Sequence, residues 1–114
     1  MRSERAYLTH ILHCIGRIRE DARVGKDGVF ASATLQDAIV RNLQILCESA
    51  QRLAETSKLR HPEVDWRGIS GLRNVLVHSY FEVDMETIWT ITQRDLPVLE
   101  SALESLLGEP PPDA

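Results

Sequence analysis

The chain contains 114 residues, which is enough for one domain with one modest core. Its composition, 43% apolar and 26% charged residues, argues against a disordered chain, and no apolar run approaches the roughly 18 residues that span a bilayer. The net charge of −4 argues weakly against a nucleic-acid partner, and the first residues show no secretion signal. We therefore expect a cytoplasmic protein that does not enter a membrane.

The first predicted element is an amphipathic helix over roughly residues 3–23, because apolar side chains recur there at steps of three and four residues. Ser3 is placed to cap its first turn. The sequence GKDG, from Gly25 to Gly28, is expected to end it.

A second helix is predicted to start near Ser32 or Thr34 and to reach about Thr56, again from its apolar spacing. Thr34 and Asp37 have the spacing of a capping box. Asn42 falls on the apolar stripe of this helix, so we expect its side chain to be buried and hydrogen-bonded.

A break is predicted between the second helix and the next long one. Pro62 is well placed to open a short helix within this break. Gly68 and Gly71 are expected to bracket a kink before the helix that follows.

The last predicted helix begins after Asp84, which can cap it, and Pro97 is expected to bend it. Residues 81–114 hold eight acidic residues against one Arg, whereas residues 1–26 hold six basic residues against three acidic ones. An acidic final segment can coexist with a basic surface elsewhere, although ordinary solvated helix faces explain the same charges.

The pattern as a whole predicts an all-α fold, because no segment alternates with a period of two for long enough to form a strand. We expect a single domain over residues 1–108, built as an antiparallel up-and-down bundle of four to five helices. The Pro-rich residues 109–114 are expected to form a disordered tail.

Neither the cysteines nor the histidines predict a metal site. Cys14 and Cys47 are the two cysteines, and both lie in helical patterns without the spacing of a disulfide framework or a zinc pair. His10, His13 and Cys14 lie close together on the first helix, but they need a fourth ligand from elsewhere to enclose a metal. We therefore expect no metal and no cofactor.

One helix carries polar side chains that a core does not need. The stretch GLRNVLVHSY, residues 71–80, contains Arg73, Asn74, His78 and Tyr80. At roughly 100° per residue, Tyr80 falls almost over Arg73 and the four side chains share one face of roughly 160°. The opposite side is expected to face the core with Leu72, Val75 and Leu76.

These residue types suit the chemistry of a phosphodiester. Arg offers a planar charged fork that matches phosphate oxygens, His can give or take a proton near neutral pH, and Asn can orient the His or a substrate hydroxyl. RNA carries its own nucleophile, the 2′-OH, so Arg and His can cleave it without a metal. Arg73 and His78 lie roughly 140° apart on one helix, so a symmetric partner that closes the gap is expected.

Spacing alone favours a structural role, in which a surface Arg–Tyr stack lies beside a His satisfied by the core, because Arg-x4-His is a short pattern. Longer segments carry more information. RNLQILCESAQRL (residues 41–53), HPEVDWRGISGLRNVLVHSYFEVDMETIWTI (61–91) and DLPVLESAL (95–103) together resemble the HepT-like family of HEPN-domain proteins in collinear order. Members of that family are ribonuclease toxins paired with a minimal nucleotidyltransferase antitoxin of the MntA type.

The resemblance assigns a role to each polar residue of the stretch. The family signature, Arg-x4-His-x-Tyr, falls on Arg73, His78 and Tyr80 without a gap. It implies that Arg73 and His78 are catalytic, that Asn74 supports them, and that Tyr80 receives AMP from the antitoxin enzyme. It also implies a HEPN-like helical bundle that forms a homodimer with the motif helices facing one cleft.

One departure from the family lies on the second helix, where Cys47, Glu48 and Ser49 replace the usual Gly-Glu-Ala. The added Cys47 side chain puts the local packing in doubt more than the chemistry. Arg41 and Glu48 are seven residues apart on one face of this helix, where they either line the cleft or form a surface charge pair.

The resulting hypothesis is a metal-independent endoribonuclease toxin of a type VII-like toxin–antitoxin system, neutralised by AMPylation of Tyr80. Its RNA substrate is tRNA or mRNA. The alternative is a non-catalytic HEPN interaction module that binds a nucleotide or scaffolds the nucleotidyltransferase. The intact pair of Arg73 and His78 favours the enzyme.

Overall fold

The computed structural model describes residues 3–78 and 83–109, and these two ranges contain no strand. Their helices, in chain order, are α1 (Glu4–Asp21), α2 (Gly25–Phe30), α3 (Ala33–Ala50), α4 (Glu55–Leu59), α5 (Trp66–His78), α6 (Met85–Thr90) and α7 (Leu96–Gly108). A 3₁₀ turn, Ala22–Val24, joins α1 to α2, and a π-helical segment, Ile91–Asp95, joins α6 to α7. The predicted all-α class is confirmed.

Capping side chains start three of these helices as the sequence indicates. The Oγ atom of Ser3 accepts a hydrogen bond from the backbone N–H of Ala6 at 3.3 Å, and Oδ1 of Asp84 accepts one from Glu86 at 3.1 Å. Ser32, rather than Thr34, caps α3, since its Oγ accepts a hydrogen bond from the backbone of Leu35.

The long helices pack antiparallel. Oε1 of Glu4 at the start of α1 accepts a hydrogen bond from the backbone N–H of Ala54, just beyond the end of α3. Toward the other end of α1, Arg19 pairs with Glu100 of α7 at 2.6 Å. α3 also packs against α5, so it lies between α1 and α5 in the bundle.

The apolar stripes of these helices meet in one core. Within the described residues its largest fully buried side chains are Ile11, Ile15, Ile18, Val29, Ile39, Leu43, Leu46, Cys47, Ile88 and Leu103. Tight packing makes each of them sensitive to truncation, at about 2–5 kcal/mol for a Leu-to-Ala change. The core fixes the helices that present the polar stretch of α5.

Several predicted helix ends are wrong. The GKDG sequence was expected to end the first helix, but α1 already ends at Asp21 and GKDG begins α2. Gly25 turns the chain there with a φ of 84°. The second helix ends at Ala50, not near Thr56, and α4 follows as a separate helix. Pro62 lies in a turn and opens no helix. Local spacing did not reveal the break after Ala50, because the buried Leu53 continues the three- and four-residue spacing beyond the end of α3.

Two further predictions concern glycine and proline. Gly68 and Gly71 were expected to precede the helix that carries the polar stretch, but both lie inside α5. The irregularity expected at Pro97 takes the form of the π-helical segment directly before α7. Proline has no N–H and its ring crowds the carbonyl four residues earlier, so the preceding turn widens.

The C-terminal part of the chain is described as far as Glu109. This residue, expected to begin the tail, pairs with Arg60 at 2.9 Å. Residues 110–114 lie outside the described residues. Within the described parts, no helix is long and apolar enough to cross a membrane.

Candidate active site

The start of α5 is fixed by two polar contacts. Nε1 of Trp66 donates to the backbone carbonyls of Lys58 at 3.1 Å and His61 at 3.0 Å. The carboxylate of Asp65 accepts a hydrogen bond from the N–H of Gly68 at 2.9 Å, and it lies so close that a Cβ at Gly68 would clash with it. The Asp-x-x-Gly spacing is a local capping signal that the sequence analysis missed.

One contact sets the register of α5 against α3. Oγ of Ser70 donates to Oε1 of Gln51 at 2.9 Å, at the C-terminal end of α3. Leu76 is buried in the core, and Leu72 packs against it with partial exposure. Val75, expected to face the core, is instead 42% exposed, so the core side of α5 is narrower than its sequence indicates.

Arg73 is half-buried and held by its neighbour. Its Nη1 atom donates to Oδ1 of Asn74 at 3.2 Å. No ion pair neutralises Arg73 within the described residues, so its charge is available to a phosphate. Asn74 therefore contacts the predicted catalytic Arg73, whereas the sequence had suggested that it orients the His or a substrate hydroxyl.

His78 is the last residue of α5 and is exposed. It lies one turn beyond Asn74 and roughly 7.5 Å further along the helix axis than Arg73, on a direction roughly 140° away. One copy of α5 thus presents the Arg and the His on different sides of an exposed surface. Tyr80 lies outside the described residues.

Arg41 and Glu48 are both exposed on α3, and no ion pair joins them in the described part of the chain. The surface charge pair considered from the sequence is therefore not found. Glu48 lies near the C-terminal end of α3, whose C-cap residue, Gln51, bonds Ser70 of α5.

Cys47, the departure from the usual family pattern, is buried at 2% exposure and lines a cavity between α3 and α5. Burial raises the pKa of its thiol to about 12, and the charge of Glu48 adds to the shift. The thiol is neutral at physiological pH and belongs to the core beneath α5.

Metal ligands do not gather in the described structure. Across residues 3–78 and 83–109, no three His, Cys, Asp or Glu side chains come together in a way that could hold a metal ion. Cys14 is buried in the core, whereas His13 on the same helix is exposed.

Comparison with known proteins gives this arrangement its context. The family described as "Ribonuclease HepT-like" matches residues 11–106. The chain belongs to that family. "Probable ribonuclease HepT" of Thermococcus cleftensis is 32% identical to this HepT-like chain over 106 residues, which cover 92% of this chain and 96% of that protein.

Other relatives carry similar names. A protein of Caldanaerobacter subterraneus subsp. tengcongensis named a "Putative RNase" is 32% identical over 108 residues, covering 94% of this HepT-like chain and 96% of that protein. The "Gamma-glutamylcyclotransferase and putative RNase" of Methanocaldococcus jannaschii is 30% identical over 104 residues, which cover 90% of this chain but 47% of that protein. No solved structure matches the chain.

Proposed function

We propose that this HepT-like chain is an endoribonuclease that cleaves RNA at the exposed face of α5. The observation that carries the proposal is the unneutralised Arg73, held by Asn74 on the same helix that ends with the exposed His78. The names of the family and of its relatives support a ribonuclease. Arg73 binds the phosphate of the scissile linkage, and His78 moves the proton.

The reaction needs no external nucleophile. The 2′-OH of the ribose loses its proton to a base and attacks the adjacent phosphorus, and the bond from phosphorus to the 5′ oxygen breaks. The 5′ oxygen takes up a proton, so the products are a 2′,3′-cyclic phosphate and a 5′-hydroxyl. Arg73 stabilises the negative charge that builds on the phosphate oxygens, and no metal is required.

A homodimer would supply both proton-transfer groups. Gly71, Asn74, Val75 and His78 recur at steps of three and four residues, and all four are exposed. Val77 adds further apolar surface, since it is 37% exposed. We infer that a second copy covers this face, so that one His78 acts as the base and the other as the acid.

The regulation follows from the same site. We propose that the chain is the toxin of a toxin–antitoxin system, and that a minimal nucleotidyltransferase antitoxin attaches AMP to Tyr80. The added phosphodiester would compete for Arg73, and the adenosine would occupy the space of the RNA. Glu48 and Arg41, both exposed on α3, would line the same cleft. The RNA substrate is tRNA or mRNA.

The direct test is the His78→Ala variant. We expect cleavage of a dinucleotide substrate to fall by roughly 10²–10⁴-fold while the helical circular-dichroism signal is unchanged. Arg23→Ala, which removes an exposed side chain from the 3₁₀ turn after α1, away from α5, is the control and should retain the full rate. Chelation of divalent metals should leave the wild-type rate unchanged.

Expression in cells separates the enzyme from an interaction module. The wild-type chain alone should stop growth, and His78→Ala should not. A folded His78→Ala variant that cleaves RNA at the wild-type rate would exclude the proposed role of His78. A wild-type chain that neither cleaves RNA nor stops growth would leave the non-catalytic module as the better explanation.

A further inference from the structure

An open groove runs between α1 and α3, away from the candidate active site. Its volume is about 710 Å³. The side chains that can bind a ligand there include two guanidinium groups, two imidazoles and one amide, from Arg5, Arg17, His10, His13 and Asn42. Neither Arg73 nor His78 lines this groove.

The α1 wall of the groove is one continuous helix face. Ser3, Ala6, His10, His13 and Arg17 follow one another at alternating steps of three and four residues. Ser3 and Ala6 have small side chains, so the wall is shallow at that end of the groove. The larger side chains of His10, His13 and Arg17 form the rest of this wall. A linear ligand could contact several of these groups in turn.

The α3 wall contributes Asn42 and Ile45. Asn42 was expected to be buried but is only half-buried, because it lies at the edge of the apolar stripe where the groove opens. Its Nδ2 atom donates to the carbonyl of Ala38 at 3.1 Å, which confirms the expected hydrogen bond and fixes the amide at the edge of the groove.

The groove carries positive charge that no carboxylate cancels. No acidic residue belongs to its described lining. Further along the chain, Arg19 of α1 pairs with Glu100 at 2.6 Å, and Arg23 of the following 3₁₀ turn pairs with Glu20 at 3.1 Å. Arg17, in contrast, makes no ion pair in the described part of the chain.

The remaining groups of the groove do not add negative charge. Arg5 donates a hydrogen bond to the backbone carbonyl of Leu107 at 3.0 Å. It makes no ion pair with a carboxylate among the described residues. Burial raises the pKa of the Cys14 thiol at the floor of the groove, an effect that the charge of Arg17 only partly opposes, so the thiol is neutral. The local charge is positive although the whole chain carries −4.

We propose that this groove binds the sugar–phosphate backbone of the RNA substrate, at a distance from the cleaved bond. Guanidinium, imidazole and hydroxyl groups are donors for phosphate and ribose oxygens. No Phe, Tyr or Trp side chain belongs to the described lining, so contacts to phosphate and ribose, rather than stacking of bases on large aromatic rings, carry the proposed binding. This inference rests on the proposed ribonuclease activity and adds where the enzyme holds its substrate.

The position of the groove determines which substrates can use it. α3 separates α1 from α5, and neighbouring helix axes lie about 8–10 Å apart, so groove and active-site face are separated by roughly 20 Å. A dinucleotide fills only the active site. A longer RNA can cross the exposed ridge of α3 and occupy both sites.

Arg17→Gln is the decisive variant, because Arg17 is exposed and unpaired among described residues. Arg23→Gln is the matched control, since it removes the same charge from an exposed Arg outside the groove. Binding of a fluorescent single-stranded RNA is measured against salt concentration in the His78→Ala background, so that no cleavage occurs. Cleavage by the otherwise wild-type variants is measured on a dinucleotide and on the long RNA.

We expect Arg17→Gln to weaken binding of the long RNA by roughly two- to tenfold. It should also reduce the slope of log Kd against log salt by about 0.7, the value for one contact to a single-stranded phosphate. Its rate on the dinucleotide should equal that of Arg23→Gln. A loss of cleavage confined to the long RNA is the signature of the groove.

Equal RNA binding by Arg17→Gln and Arg23→Gln would overturn the proposal. So would unchanged RNA binding combined with a weaker dimer or weaker binding of the antitoxin, since the groove would then be a protein interface. A wild-type chain that cleaves no RNA but loses RNA affinity through Arg17→Gln would support the groove and contradict the proposed activity. Absence of any RNA binding would contradict both.

Discussion

Nη1 of Arg73 donates a hydrogen bond to Oδ1 of Asn74 at 3.2 Å, between adjacent residues of α5. Adjacent residues on a helix point roughly 100° apart, so the long Arg side chain has to bend around the helix toward the amide. Viewed down the axis of α5, Asn74 lies between Arg73 and His78, so the contact draws the guanidinium toward the side of the helix that carries His78. Asn74 therefore reduces the angular gap between the two proposed catalytic groups.

This contact predicts a positioning role for Asn74. Asn74→Ala should lower kcat/KM for RNA cleavage by about tenfold, because the loss of a hydrogen bond to a charged group, about 1.5 kcal/mol, leaves Arg73 free to point away. Loss of Arg73 itself should cost more, and Arg73→Lys should not restore the rate, because a lysine cannot form the planar fork. Steady-state kinetics of the three variants on one RNA provide the comparison. A wild-type rate for Asn74→Ala would show that Arg73 needs no such support.

Two exposed valines allow the interface of the proposed homodimer to be tested. Val75 and Val98 have nearly equal exposure, 42% and 40%, but only Val75 lies on α5 beside Asn74 and His78. Val75→Glu should shift the dimer toward monomer and reduce RNA cleavage in parallel, because it places a charge in an apolar contact. Val98→Glu, on α7, should change neither. Light scattering over a concentration series measures the assembly. A fully active dimer of Val75→Glu would rule out this face as the interface.

Tyr80 provides the test of regulation. Tyr80→Phe removes only the oxygen that would accept AMP, so we expect it to retain most of the ribonuclease activity. In the presence of the nucleotidyltransferase and ATP, intact-mass spectrometry should show AMP on the wild-type chain and none on Tyr80→Phe. Cells that express Tyr80→Phe should remain inhibited when the antitoxin is present. Equal AMP addition to both forms would place the modified residue elsewhere.

Cys47 predicts a dependence of stability on alkaline pH. Burial raises the pKa of its thiol from about 9 to about 12. The unfolded chain loses this proton near its ordinary value, so the stabilising contribution is fully present below about pH 9 and is lost as the pH rises toward 12. The free energy of unfolding should therefore fall across this window.

The Cys47→Ala variant isolates that contribution. We expect its free energy of unfolding, measured by urea denaturation at several pH values, to fall less steeply above pH 9 than that of the wild type. Ser49→Ala, another buried side-chain truncation on α3 but without a titrating group in this range, should keep the wild-type slope. Identical slopes for all three proteins would mean that Cys47 does not control the alkaline transition.

The sequence by itself determined the fold class and the residues of the candidate site. Helical periodicity is a local property, so α1, α3 and the C-terminal helices follow from apolar residues at steps of three and four, and Ser3 and Asp84 are recognisable caps. The collinear resemblance likewise pointed to Arg73 and His78 as candidates, through a pattern much longer than the pair itself, and both lie within the residues 11–106 that match the family.

Only the tertiary structure decided which side chains meet across different helices. Ser70 and Gln51 are nineteen residues apart, so no local signal predicts the bond that aligns α5 with α3. Packing also left Val75 exposed although its position in the helix predicts a core residue, because α5 meets the bundle along a narrow edge. The basic groove arises in the same way, since the fold brings Glu100 of α7 to Arg19 and brings no described carboxylate into an ion pair with Arg17.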